Sequence, residues 1–378
     1  MIFYVSLLLV IALFATIIKP DKSKGRAKAF AIVAFGCLGF VSAVRSIDVG
    51  VDTLQYCSNY QVIAFIDWAN YDTLRYEPAF FALCKTLNYI SSDYRLLIAV
   101  SSAIIFAGVS FFYYKLTEDP LVTVFLFVTL LIDAFLMSGM RQALAMSVAL
   151  VGLYHLLKGR RVLFCVLVLL AAQFHSSAIV CLAYWPLLNR KFSTKAFVLI
   201  VAASAVAFVF AHQLYDLASG LIGKYEGYLE NANHAHGGSN YFGALMRAGF
   251  FFFVLLVAHY CLKDSYGTAN ERSLSASSQV GINVSFLMYV GMLAFFFNVL
   301  GMQVEIFSRM NNYFNIFLPL LIPCAFNRLS EKKEVPIIKY VSLSLCLAYF
   351  SAILILRPEW NGIVPVPSRI LRTFPTAS

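Results

Sequence analysis

The chain has 378 residues, of which 61% are hydrophobic and 13% charged, and its mean hydropathy is +0.78. A soluble globule carries about twice that charged fraction, and apolar runs long enough to cross about 30 Å of hydrocarbon recur throughout. Together these exclude a soluble protein, while the lack of short alternating-polarity segments excludes a β-barrel. The formal charge of +10 sits in residues that flank apolar runs, so it marks loops beside a membrane rather than a nucleic-acid-binding module.

In chain order, the apolar runs predict spans near 2–18, 29–44, 94–114, 120–137, 142–157, 196–217, 242–262, 279–300, 314–327 and 336–356. No basic leader precedes the first run, which reads as an uncleaved anchor. Residues 78–91 predict a short apolar helix, either re-entrant or crossing, and the parity of the basic loops is met if it does not cross. Residues 162–188 carry "FHSS" in their middle and predict either one broken span or two short helices that dip and return. The expected fold is all-α, a polytopic transmembrane helical bundle of about 10–13 membrane helices including short or re-entrant ones. No internal repeat divides it, so residues 1–378 are expected to form a single integral membrane domain.

Lysine sets the expected orientation. The segments 19–28 ("KPDKSKGRAK"), 158–161 ("KGRR"), 189–195 ("NRKFSTK") and 327–334 ("NRLSEKKE") are basic, and such loops face the cytoplasm. Of fourteen lysines, only Lys85 and Lys224 fall on or near the far side. Arginine behaves differently: Arg45, Arg75, Arg95, Arg141, Arg247 and Arg309 all fall there, as do Arg357, Arg369 and Arg372 in the tail. Arginine without lysine suits a phosphate or diphosphate, because the planar guanidinium makes oriented, bidentate contacts. Snorkelling to the interface is the plain alternative for any one of them. Three far-side loops are expected, at about 45–77, 218–241 and 301–313.

Arg141 in "SGMRQALAMSV" is placed to open a helix on the far side, with Gln142 beside it. A helix N-terminus already presents partial positive charge, so an arginine there makes sense if an anion sits between them. Arg309 in "EIFSRMNNYFNIFLP" is expected just before a span on the same side, with Asn311, Asn312 and Tyr313 as neighbouring polar groups. His175 lies within an apolar run and, at membrane depth, needs a partner or water. Ser176 and Ser177 follow it. "RSIDVGVDTLQYCSNY" supplies Arg45, Asp48, Asp52 and Tyr56, the last two at i, i+4 spacing on one helix face. "LRYEPAFFAL" adds Arg75 and Glu77, with Pro78 suited to a first helical turn. The acids are candidates for a general base toward a sugar hydroxyl, or for simple pairing with the arginines. No DxD and no histidine cluster appears, and no metal is expected. The eight cysteines show no CxxC spacing, and disulfides are not expected.

The motifs "GVDTLQY" (50–56), "YEPAFFAL" (76–83), "MRQALAMSVAL" (140–150), "KGRR" followed by "FHSSAIV" (174–180), and "SRMNNYFNIFLP" (308–319) occur in this order. This set resembles the EpsG family of Wzy-type polymerases of bacterial surface polysaccharide. The resemblance covers roughly residues 40–330, with Val51 standing where the family usually has threonine. It implies a metal-independent glycosyltransferase of the bacterial cytoplasmic (inner) membrane that joins oligosaccharide repeat units on undecaprenyl diphosphate. The active site would face the periplasm or exterior, and the product would be exopolysaccharide, capsule or O-antigen. Donor and acceptor are both lipid-linked oligosaccharide, no cofactor is implied, and membrane lipids, a flippase and a chain-length regulator are the implied partners. Arg141, His175, Arg309, Asp52 and Glu77 are the positions implied as catalytic. Arg45, Asp48, Tyr56, Arg75, Gln142, Ser176, Asn312 and Tyr313 are expected to line the substrate site. An O-antigen-ligase-like enzyme and a lipid-linked sugar transporter or flippase are the alternatives. Transporters often carry paired half-repeats, and none is visible here.

Overall fold

A computed structural model describes residues 2–222, 241–267, 282–328 and 335–356. Among them the chain is helical, without strands. The helices are α1 (Ile2–Ile18), α2 (Lys24–Ala43), α3 (Thr53–Ile63), α4 (Pro78–Asn88), α5 (Tyr94–Leu116), α6 (Pro120–Thr129), α7 (Ile132–Ser138), α8 (Met140–Leu157) and α9 (Arg161–Ala172). They continue with α10 (Tyr184–Leu188), α11 (Thr194–Val209), α12 (Ala211–Ile222), α13 (Tyr241–Leu262), α14 (Val284–Leu300), α15 (Glu305–Asn315), α16 (Leu318–Arg328) and α17 (Val335–Leu356). Six of these, α1, α2, α5, α8, α13 and α17, are long and apolar enough to cross a membrane, and the bent pairs α6/α7 and α11/α12 raise the number to as many as eight. The chain is a multi-pass membrane protein.

The helix ends follow from local chemistry. Ser23 Oγ accepts from the Arg26 N–H at the start of α2, and Asp119 Oδ1 accepts from the Val122 N–H at the start of α6, where Pro120 holds the first turn. Gly159, at φ +77°, ends α8: its N–H donates to Leu156 and that of Arg160 to His155, the paired bonds of a left-handed glycine stop.

The structure departs from four of the expected segments. The expected 120–137 span bends by 56° at Leu130–Leu131, where Leu131 takes a left-handed φ of 59°. The expected 196–217 span turns by 81° at Phe210, because α12 is amphipathic and buries Ala211 and Tyr215 against Leu300, Val304 and Phe307. The expected loop 301–313 is a short turn followed by α15, so Arg309 lies inside a helix and not ahead of one. Of the loop expected at 45–77, α3 and a 3-10 helix over Trp68–Leu74 occupy most. Most of 218–241, together with Lys224, Arg357, Arg369 and Arg372, lies outside the described residues.

The chain packs as two compact units. One comprises residues 1–115, 119–179 and 344–378, and the other 116–118 and 180–343. In the first, α2 packs on α1 and α6, α8 on α7 and α9, and α3 on α4. Phe35, Tyr113 and Phe127 form an aromatic cluster at its centre. In the second, α14 is central and packs against α10, α11, α13, α15 and α16. Tyr184 anchors that core, ringed by Phe286, Phe314 and Phe317, and its hydroxyl donates to the Tyr313 carbonyl at 2.6 Å.

Candidate functional site

The first unit gathers Arg141, His175 and Ser176 around the carboxylate of Glu77. Glu77 sits at the N-cap of α4, with extended backbone (φ −70°, ψ 148°) that turns its side chain away from its own helix. Oε2 accepts from Arg141 Nη1 at 2.7 Å, and Oε1 accepts from both the N–H and the hydroxyl of Ser176, at 3.1 and 3.2 Å. His175 Nδ1 lies 3.8 Å from the same Oε1 and 3.4 Å from Ser177 Oγ. The Ala79 N–H donates to the Gln173 carbonyl at 2.9 Å, tying the start of α4 to this segment through backbone as well.

The break at 173–176 is therefore a receptor for Glu77. α9 stops after twelve residues, too short to cross, and a 3-10 helix begins at Ser176. A carboxylate at that N-terminus satisfies free N–H groups and the local dipole. α9 runs back along α8, with Gly152 leaving room for Leu167 and Phe164, which brings the break to the level of Arg141.

Arg141 is the second residue of α8, whose N-cap, Gly139, has no side chain to offer. Its guanidinium lies over the rings of Tyr76, at 4.7 Å, and Tyr56, at 5.7 Å. Nη1 is spent on Glu77, and the buried Nε has no hydrogen-bond partner. Burial pushes the Tyr76 phenol up to about 12, against the pull of the Asn59 hydrogen bond and Arg141, so the ring is a neutral wall beside the cation. Glu77 thus gives Arg141 an anionic partner, and the backbone N–H it accepts from is that of Ser176, at the start of the 3-10 helix, rather than one of α8.

The site is recessed. α5 and α8 run in the same direction and touch at Gly108, where an added Cβ would meet Ser147 at 2.7 Å. Arg141 lies six residues before Ser147 on α8, and the side chains of Arg141 and Glu77 are only 21% and 6% exposed. Arg45 reaches the turn ahead of Arg141. Its Nη1 donates to the Ser42 carbonyl and hydroxyl and to Ser102 Oγ, and its Nη2 to the Met137 carbonyl, one turn before Arg141. No carboxylate faces Arg45 among the described residues, and its buried Nε also lacks a partner.

The other expected residues fall outside this constellation. Asp48 is exposed and accepts from Ser46 Oγ at 3.2 Å, and Asp52 is the N-cap residue of α3. Gln142 is buried beside Arg141 on α8, and Arg75 holds a left-handed φ of 55° in the turn ahead of α4. In the second unit, Asn312 Nδ2 donates to the Arg309 carbonyl at 3.3 Å, and Tyr313 is buried in the core rather than lining an open site. Tyr76 and Asn59 were not expected. Tyr76 adjoins Glu77 in "LRYEP", so its position was the available signal, while Asn59 had none. Among the described residues no cluster of His, Cys, Asp or Glu is arranged to hold a metal.

The EpsG family profile matches residues 28–367, nearly the whole chain. The chain belongs to the EpsG family. Members of that family are Wzy-type polymerases, which makes this EpsG-family chain a membrane protein of polysaccharide biosynthesis. No curated protein and no solved structure matches it. Four of the five motifs that carry the family pattern lie in the first unit, and three of them, around Glu77, Arg141 and His175, meet at one point.

Proposed function

We propose that this EpsG-family chain is a glycosyltransferase that polymerises oligosaccharide repeat units carried on undecaprenyl diphosphate, at the outer face of the bacterial cytoplasmic membrane. The observation that carries the reading is the recessed constellation of Arg141, Glu77, Ser176 and His175 at a helix N-terminus. The acceptor hydroxyl oxygen attacks the anomeric carbon of the donor, the bond from that carbon to the diphosphate breaks, and the hydroxyl proton passes to the Glu77–His175 pair. Negative charge grows on the departing phosphate oxygens. A helix N-terminus and a guanidinium held in place before the reaction stabilise that charge where water is scarce. Glu77 and the Tyr56 hydroxyl hold the Arg141 guanidinium in place before any phosphate arrives. Arg309 is proposed as a further phosphate contact on the strength of the family motif alone.

The test is reconstitution. Purified protein in lipid nanodiscs is given a defined undecaprenyl-diphosphate repeat unit, with and without chelator. A ladder of longer lipid-linked products, insensitive to chelator, is expected. Transport of the intact unit across a sealed vesicle with no ladder overturns the reading in favour of a flippase. Transfer to a lipid core acceptor in place of a second repeat unit overturns it in favour of a ligase.

A further inference from the structure

Tyr76 stands between Arg75, at a left-handed φ of 55°, and Glu77, whose backbone is extended. That turn sends two adjacent side chains to one guanidinium. Glu77 accepts from Arg141 Nη1 at 2.7 Å, and the Tyr76 ring covers the same guanidinium at 4.7 Å. Phe80, edge-on at 5.1 Å, and Tyr56, at 6.3 Å, hold the ring from other sides, and Tyr76 is 7% exposed.

A phenol oxygen both accepts and donates, and a buried tyrosine ordinarily spends its proton on a partner. The buried Tyr60 and Tyr184 do so, each donating to a backbone carbonyl, of Ser91 and of Tyr313. Tyr76 is used the other way round. Asn59 Nδ2, from α3, donates to the Tyr76 oxygen at 2.5 Å, and no acceptor for the phenol proton appears among the described residues. Asn59 thereby sets the direction of the bond: it fills the acceptor side of the hydroxyl and leaves the O–H as a donor with nothing to serve. Donation into the oxygen also polarises the O–H and strengthens it as a donor. Burial pushes the phenol up to about 12, so the proton stays on. An empty buried donor is a cost to folding that is relieved when an oxygen from outside the protein arrives. A cation and a neutral O–H side by side suit an oxygen anion, whereas a sugar hydroxyl also asks for an acceptor.

We infer that the Tyr76 hydroxyl, aimed by Asn59, is a further catalytic donor to a phosphate oxygen of the lipid diphosphate whose charge Arg141 also meets. The inference rests on the proposed polymerase reading for the identity of that anion. The phenol keeps its proton throughout. The bond between the anomeric carbon and the phosphate oxygen breaks as described above, and Tyr76 hydrogen-bonds the diphosphate as its charge grows. Asn59 touches no substrate and is a positioning residue.

Kinetics of the full-length protein in nanodiscs, given a defined undecaprenyl-diphosphate repeat unit, test it. Tyr76→Phe should lower kcat about 10²-fold with KM changed little, because the bond strengthens as charge develops. Tyr76 replaced by 3-fluorotyrosine, a more acidic phenol of nearly the same shape, should raise kcat above wild type at pH ~6, where the proton is retained. Asn59→Leu should lower kcat about tenfold in the wild-type background and cost nothing further in Tyr76→Phe. An equal loss in both backgrounds would make Asn59 merely structural and remove the aiming role. Normal kcat in Tyr76→Phe, or a rate indifferent to fluorination, overturns the inference. Binding gives a readout apart from polymer: undecaprenyl diphosphate alone should protect wild type against thermal unfolding more than it protects Tyr76→Phe, while undecaprenol should protect both equally. Diphosphate binding that depends on Tyr76 in a wild type that makes no polymer overturns the polymerase reading and leaves the donor standing. Polymer made by Tyr76→Phe at the wild-type rate overturns the donor alone.

Discussion

At the scale of single residues, Arg141 and Glu77 each explain the other. A carboxylate with a side chain 6% exposed and a guanidinium 21% exposed are tolerable below a membrane surface as a hydrogen-bonded pair. Removing one leaves the other stranded, at about 3–5 kcal/mol. Arg141→Ala should lower the rate of polymer formation by about 10²–10³-fold while single repeat units accumulate on lipid. Arg141→Lys should fail as well, since a point charge replaces the fork that spans Glu77 and a phosphate. Thermal unfolding in detergent separates the two effects: Arg141→Lys, which retains a cation for Glu77, should unfold nearer to wild type than Arg141→Ala. Normal polymer from both variants would remove the phosphate-binding role. His175→Ala should stop polymer without changing membrane insertion, and unchanged activity would reduce His175 to a hinge residue. The Tyr76 phenol, raised to about 12, stays protonated through the working range, so the alkaline limb of the pH–rate profile should be the same in Tyr76→Phe up to pH ~10.

At the scale of elements, much was legible and the failures have causes. Arg141 at a helix start, Pro78 in a first turn and the break at His175 could be read because each breaks a local rule of apolar runs. The bend at Phe210 could not, because α11 and α12 together are apolar enough to pass as one run, and the amphipathic face of α12 shows its role only where Ala211 and Tyr215 are buried. Arg309 was misplaced because "EIFSRMNNYFN" is polar on average yet helical once Ile306, Phe307 and Phe314 are buried. Asp133, buried near the α6/α7 break with Oδ1 unpartnered, is hidden in an otherwise apolar run. Lys85 was an exception to the lysine pattern, and the structure supplies its reason: Nζ donates to the Ile63, Ala64 and Ile66 carbonyls, capping the end of α3 from α4. Lys85→Met should leave those carbonyls unsatisfied and destabilise the α3/α4 pair by about 1–3 kcal/mol, read as faster amide exchange in α3 relative to α5.

At the scale of the whole molecule, membrane residence and helical class follow from composition alone, and the partition into two compact units does not. Apolar runs carry no record of which neighbour each helix chooses, so the partners of α14 emerge only from packing. Orientation remains a charge argument and has a direct check. A reporter active only outside the cytoplasm should be silent when fused after Gly159 and active when fused after Ser91, because these mark the lysine-rich and lysine-poor ends of the helices. The opposite pattern would turn the site to the cytoplasm and remove the proposed substrate.

The burial of the Arg141–Glu77 pair bears on which sugars can react there. A free oligosaccharide would have to shed its hydration and descend beside hydrocarbon with nothing to draw it down, whereas a tethered one is pulled to that depth by its own anchor. Free repeat units should therefore be poor acceptors even at millimolar concentration, and a tail grafted onto the same sugar should restore extension. Selection between monomer and shed product would then be made by solvation, before any hydroxyl is recognised.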